Sequence, residues 1–331
     1  MNLSPFPITP RVKGRLILLL VYFVAFGLGF WVSTVSNYSI LLKSVVATAV
    51  TVTIIFLGSL DFNNSSVFDP YWSVAPPLML LYFAALFYYP AVFEYGPPVV
   101  KTGHSLVVTI PFSGNALHPF GTGGSWYQAP RLMILFLLIL VYSIRLTGNF
   151  LSGWPGLKHE DWRYISFREK TKNGYWPVSF LAIHFFPALM VFGGTLSLWV
   201  VVVHGYKPLN FLDILALFVT GFAIILEGMA DRQLHRFLRE TKDSGKTMNT
   251  GLWSCSRHPN YLGEILFWWG LFLFALAANP SFWWVIAGPL AITLMFLFAS
   301  IPMIEKRMLS HRTDYLEYKR KVPMLIPWKK R

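Results

Sequence analysis

Residues 251–278 read GLWSCSRHPNYLGEILFWWGLFLFALAA, a polar threshold that runs without interruption into an apolar stretch. A bilayer core about 30 Å thick takes roughly 20 apolar residues as a helix, so residues 261–278 are long enough to span it. Pro259 suits the first turn of that helix, where its missing N–H would be unpaired anyway, and this places His258 at the N-cap. The turn then offers free N–H groups and a positive dipole end, a natural seat for a phosphate or carboxamide oxygen. Asn260 and Glu264 lie four residues apart on one face. A carboxylate inside a span is costly unless it faces the bundle interior and is paired, which makes Glu264 a site candidate; the plainer alternative is an ion pair that fixes packing.

Runs of the same kind recur at about 17–35, 44–60, 76–93, 132–150, 179–203, 211–230 and 282–304, eight in all with 261–278. The chain of 331 residues is 55% hydrophobic and only 13% charged, so a water-soluble domain of this size is excluded. The expected fold is all-α, a polytopic membrane bundle of about eight spans; the run lengths exclude a transmembrane barrel. Arg11, Lys13 and Arg15 before the first run imitate a secretory signal, but the run is too long and lacks a small-residue cleavage site, so it counts as a span. One integral domain over 1–331 is expected, with a Gly/Pro-rich loop at 94–130 and a basic tail at 305–331.

Charge orients the spans. With the amino terminus inside, most of the 28 Lys and Arg fall on one side, leaving Lys43, Lys101, Arg131 and Lys207 opposite. Positive charge concentrates on cytoplasmic loops, so both termini are expected in the cytoplasm. The net charge of +13 is explained by membrane edges and anionic headgroups, and no nucleic-acid partner is expected. Cys255 is the single cysteine, which rules out an intrachain disulfide, and no carboxylate or histidine spacing suggests a metal.

Six polar stretches gather on that same side: FDPYWSVAPP (68–77), LVYSIRLTGNF (140–150), HEDWRY (159–164), LEGMADRQLHRF (226–237), SRHPNYLGE (256–264) and the tail from Glu305 to Trp328. Glu227, Asp231 and His235 form a stripe at i, i+4, i+8 with Gln233 beside it, read either as a solvated helix end or as a ligand face. Tyr142 and Arg145 share a face near the end of an apolar span. They can hold an anionic cofactor and donate a phenolic hydrogen bond, or simply sit in the aromatic belt and snorkel. Asp69 precedes Pro70 and can equally cap a helix. The tail, with Tyr315 and Tyr318, either anchors at the membrane surface or folds back over the site.

Together, GLW-x₃-RHPNYLGE, the tail E-x-R-x₄-R-x₂-Y-x₂-Y-x₃-VPMLIPW, and the upstream DPYWS, R-L-T-x-N, EDWRY and E-x₂-AD-x-Q resemble the DUF1295 membrane proteins, related to the steroid 5-alpha-reductases, over roughly residues 60–328. The resemblance implies a core of seven helices plus the N-terminal span, holding NADPH in a cytoplasm-facing cavity. A lipophilic enone would enter from the bilayer and be reduced at its conjugated double bond. It assigns Asn260, Tyr261 and Glu264 to the nicotinamide side of NADPH, with Glu227, Asp231 and Gln233 nearby. Arg145 and Arg163 become candidates for phosphate or ribose contacts, and Arg257, His258, Tyr315 and Tyr318 complete the cofactor set. Tyr142 corresponds to the substrate-binding Tyr of steroid reductases, whereas their Gln-Glu pair has no literal counterpart; Asp69 stands in for its carboxylate, held protonated by apolar surroundings. The shorter RHP-x-Y-x-G motif also occurs in isoprenylcysteine carboxyl methyltransferases, so an S-adenosylmethionine-dependent methyltransferase is the alternative, and a non-enzymatic lipid-binding protein a third. The expected location is the endoplasmic reticulum in a eukaryote or the inner membrane in a bacterium.

Overall fold

The computed structural model describes residues 9–35, 38–88, 99–102, 105–108, 128–241 and 245–327. Among these, eight helical segments are long and apolar enough to cross a membrane: Pro10–Thr34, Ile40–Asp61, Ser65–Tyr88, Ala129–Gly153, Trp162–Val203, Phe211–Thr241, Pro259–Ala278 and Pro280–His311. The expected spans are all present but run longer than their apolar cores, because polar caps extend the helices. Thr9 caps α1 (Pro10–Thr34) by accepting from the Val12 N–H, and Ser39 caps α2 (Ile40–Asp61) by accepting from the Leu42 N–H. The third span begins earlier than expected, with a 3₁₀ turn at Ser65–Phe68 leading into α3 (Tyr71–Tyr88), and residues 89–93 lie outside the described chain. Within the stretch expected to be loop, β1 (Val99–Thr102) and β2 (Ser105–Val108) pair antiparallel, with Val99 opposite Val108; most of 94–130 lies outside the described residues.

The residues gather into two compact units, Met1–Ala129 with Tyr142–Thr195, and Pro130–Val141 with Leu196–Arg331. In the first, α1 and α2 meet closely at Gly29, where a Cβ would lie 2.3 Å from Thr51 Oγ1 and 2.7 Å from the Ala47 carbonyl. Tyr22 donates to the Val67 and Phe68 carbonyls at 3.1 Å each, which fixes the 3₁₀ turn against α1. After α4 (Ala129–Gly153) come α5 (Trp162–Thr171), capped by Asp161, then a π-helical turn at Ser179–Phe185 and α6 (Phe186–Val203). Pro187 accounts for the π turn: with no N–H to offer the carbonyl four residues back, and a ring that crowds it, the preceding turn widens. The turn seats His184, whose Nε2 meets Ser59 Oγ at 2.9 Å in a fully buried position.

The second unit is built on α7 (Phe211–Thr241) and α8 (Pro259–Ala278). Gly263 and Gly270 let them approach: a Cβ at 263 would stand 2.6 Å from Glu227 Cβ, and one at 270 would stand 2.1 Å from Thr220 Oγ1. Small residues at a crossing bring backbones close where lipid supplies no hydrophobic drive. After α8 come a 3₁₀ segment Pro280–Ile286, α9 (Ala287–Met295), a second π turn at Phe296–Ser300 just before Pro302, α10 (Ile301–His311) and α11 (Tyr315–Lys321). The basic tail is thus helical through much of its length. Arg131, which charge counting treats only as a topology marker, is fully buried; its Nε and Nη2 meet Asp213 at 2.6 and 2.8 Å and its other donors reach the Lys207 and Pro208 carbonyls. Phe23, Phe218 and Phe298, each at least 70% exposed, are apolar side chains suited to lipid contact.

Removing one partner of a buried ion pair leaves the other uncompensated and costs about 3–5 kcal/mol. Arg131→Leu should therefore lower the thermal midpoint of the detergent-solubilised protein by several degrees. A shift as small as that of an average surface change, within about 0.5 kcal/mol, would mean that Asp213 is hydrated rather than paired.

Candidate functional site

The polar residues singled out in the sequence fall into two groups, one in each unit. In the second unit, antiparallel α7 and α8 bring three of them, Asn260, Asp231 and Glu227, to one end of the close-packed pair. Asn260 Nδ2 donates to Asp231 Oδ1 at 3.4 Å, and one turn deeper Gly263 faces Glu227. Glu264, on the next position of α8 and 4% exposed, accepts from Trp268 Nε1 at 2.8 Å. Glu227 is equally buried at 4%. His258 is the N-cap of α8 but makes no side-chain capping bond, and Pro259 follows it as expected. No side chain of the N-cap residue therefore takes up the first N–H groups of α8.

Other candidates of this unit serve its framework. Gln233 Oε1 accepts from the Leu252 N–H at 3.0 Å, holding the 3₁₀ turn at Gly251–Ser254; Gly251 adopts φ +60° there. Arg257 is 6% exposed, with Nε 2.8 Å from Glu305 Oε1 and Nη1 bonded to the Lys319 and Val322 carbonyls at 2.9 and 2.7 Å. His258 Nε2 donates to the same Glu305 oxygen at 3.1 Å, and its ring stacks on Tyr261 at 5.5 Å. Lys319 Nζ lies 2.7 Å from Glu305 Oε2. Tyr318 donates to the Trp253 carbonyl at 2.6 Å and Tyr315 packs beside it. Burial pushes both phenols up from their ordinary range. The tail therefore folds back onto the turn that opens α8, and Arg257, Tyr318 and Lys319 are bonded to protein.

Glu305 is the residue the sequence reading passed over. Its signal was present: a carboxylate at the end of the last apolar run, opening the tail motif, needs a partner for the same reason Glu264 does.

The first unit holds Asp69, Tyr142, Arg145 and Arg163. Asp69 Oδ1 accepts a hydrogen bond from the Tyr164 hydroxyl and lies 3.7 Å from Arg163 Nη2. Arg163 also meets Asp161 Oδ1 at 2.8 Å through Nε, and its guanidinium sits over the Tyr164 ring at 5.3 Å. Tyr164, quoted within EDWRY but given no role, is 8% exposed and lies at the centre of this cluster. Asp69 is not a helix N-cap: it follows the 3₁₀ turn and faces Tyr164. Tyr142 is fully buried, with the Arg145 guanidinium 5.9 Å from its ring centre. One turn on from Ser143, Thr147 Oγ1 bonds Ser73 Oγ at 2.8 Å. Among the described residues, no group of three or more His, Cys, Asp or Glu is placed to hold a metal ion.

A family model described as a protein of unknown function, DUF1295, matches residues 110–322. Uncharacterized protein C594.04c of Schizosaccharomyces pombe (strain 972 / ATCC 24843) is 28% identical over 219 residues, covering 60% of this chain and 63% of that protein. The chain thus spans less than two thirds of the curated relative it matches. No solved structure matches the chain significantly.

Burial holds the His258 imidazole below the ordinary histidine range, outweighing the pull of Glu305 in the other direction. A folded-state value below the unfolded one, about 6.5, means the unfolded chain binds more protons as pH falls through that value. Stability from His258 is present above it and is lost below it. The thermal midpoint should fall as pH drops from about 6.5, and His258→Gln should flatten part of that slope; an unaltered slope would mean that His258 titrates as in the unfolded chain.

Proposed function

We propose, from the premise that the chain belongs to the DUF1295 family, that it is a membrane-embedded, NADPH-dependent reductase of a carbon-carbon double bond conjugated to a carbonyl in a lipophilic substrate. The observation that carries this reading is the meeting of Asn260 with Asp231, and of Gly263 with Glu227, near the start of α8, with Glu264 buried on the same helix. A carboxamide of the cofactor finds both donors and acceptors in such a set, and phosphate oxygens suit free helix N–H groups. Carboxylates are poor neighbours for phosphate, so Asp231, Glu227 and Glu264 are assigned to the carboxamide and ribose hydroxyls.

When bound, the reduced nicotinamide supplies the hydride for the β-carbon of the enone. The protein's own part is to orient the substrate, exclude water and stabilise negative charge on the carbonyl oxygen as it develops. Tyr142 is the phenol assigned to that oxygen. Tyr164 gives its one proton to Asp69, which also lies 3.7 Å from the Arg163 guanidinium, so Asp69 is assigned to hold these two side chains in place. Arg145, with its aliphatic stem in the span, is assigned to anion binding. The proposed cofactor end faces the cytoplasm, as the distribution of Lys and Arg favours.

The test is binding. Purified protein should take up NADPH in preference to S-adenosylmethionine, read by mass spectrometry of co-purified small molecules and by titration of intrinsic fluorescence. Glu264→Gln, which keeps the shape and the Trp268 bond, should weaken NADPH binding about tenfold, the worth of ~1.4 kcal/mol. Uptake of S-adenosylmethionine alone would replace the reductase with a methyltransferase, and uptake of neither would dismiss both.

A further inference from the structure

We propose that Glu305 is a positioning residue that latches residues 312–324 across the turn opening α8, and that the latch sets the geometry at which this end of the helix takes NADPH; the second clause rests on the reductase reading. One carboxylate, 5% exposed, gathers three nitrogens from two separate segments: Arg257 Nε and His258 Nε2 on Oε1, Lys319 Nζ on Oε2. Each segment is tied to the other as well. The Arg257 N–H donates to the Pro323 carbonyl at 2.9 Å, Ser256 Oγ to the Met324 carbonyl at 3.3 Å, and Tyr318 to the Trp253 carbonyl. At the far end, Thr247 donates through N and Oγ1 to Asp314 at 2.9 and 2.5 Å, and Arg312 Nη1 donates to the Lys246 carbonyl.

A helix as short as Tyr315–Lys321 is not stable by itself. Its place depends on these ties, and Glu305 is the acceptor that joins the charged side chains among them. Remove the negative charge, and buried Arg257 and half-exposed Lys319 are two cations without their shared counter-ion. Lys319 is then released, Arg257 keeps the Lys319 and Val322 carbonyls on Nη1 but loses the acceptor of Nε, and His258, the residue immediately before Pro259, loses the partner of Nε2. Nothing in this chain of effects requires Glu305 to touch a ligand. It acts through residues 256–258, which set where α8 begins.

Glu305→Gln keeps the side-chain shape and removes the charge. We expect trypsin to cut after Arg320 and Lys321 at least tenfold faster in this variant than in the wild type, and the dissociation constant for NADPH to rise at least tenfold. Glu305→Asp, which restores the charge on a shorter arm, should recover part of both. Where Glu305→Gln yields no folded protein, Tyr318→Phe removes one strap tie and leaves the carboxylate in place; it should show the same two changes at smaller size. Unchanged digestion in Glu305→Gln, or in Tyr318→Phe where that variant stands in, overturns the latch. Faster digestion with wild-type NADPH affinity overturns the positioning role and leaves a purely structural tie. A wild type that binds no NADPH sinks the reductase reading and the positioning role with it, while the digestion rates still decide whether the latch exists.

Discussion

Charge buried among the helices must be met within the protein, and most of this structure follows from that demand. Water does not reach such a group, so each buried ion or carboxylate fixes a relationship between segments. Arg131 joins Asp213 across 82 residues of sequence. Glu305 draws in the start of α8 and the C-terminal helix. Asp69 binds Tyr164, and the neighbouring Ser65 N–H is taken up by Glu160, which Arg168 holds in turn. Removing any one of these groups costs more than its own bond, because it strands the other.

The spans were legible because a run of apolar residues long enough for the bilayer has few other readings. Helix ends were less so: α7 continues to Thr241, well past its apolar core, since Arg232, Gln233, Arg236 and Arg239 are nearly as good helix formers as leucine. The site was legible in part. Pro259 and His258 announced the start of α8, and the four-residue spacing of Asn260 and Glu264 put them on one face. Glu227 and Asp231 across the pair were named too, but how closely α7 approaches was not legible, because Gly263 and Gly270 carry their meaning only once α7 lies against them. The roles of Arg257 and Lys319 could not be read locally either, since both depend on Glu305, distant in the chain.

Two kinds of polar group thus coexist at this end of α8. Some, such as Arg257 and Tyr318, are bonded to backbone carbonyls and hold the tail in place. Others, such as Asn260 with its long 3.4 Å bond to Asp231, are held more loosely. Rigid support behind an adaptable face is the arrangement a binding site requires, because the supporting bonds are made before any ligand arrives and cost nothing on binding.

The second π turn gives this arrangement an unexpected dependence. A regular helix advances each side chain by about 100°, and a turn that accommodates one extra residue shifts everything beyond it by about that angle. Phe296–Ser300 makes such a shift immediately before Pro302, and Glu305 comes just after. The direction from which the carboxylate reaches Arg257 and His258 is therefore a matter of helical phase, set by a proline ring three residues earlier. A hydropathy profile, which counts how apolar a segment is and not where its sides point, passes over that rotation entirely.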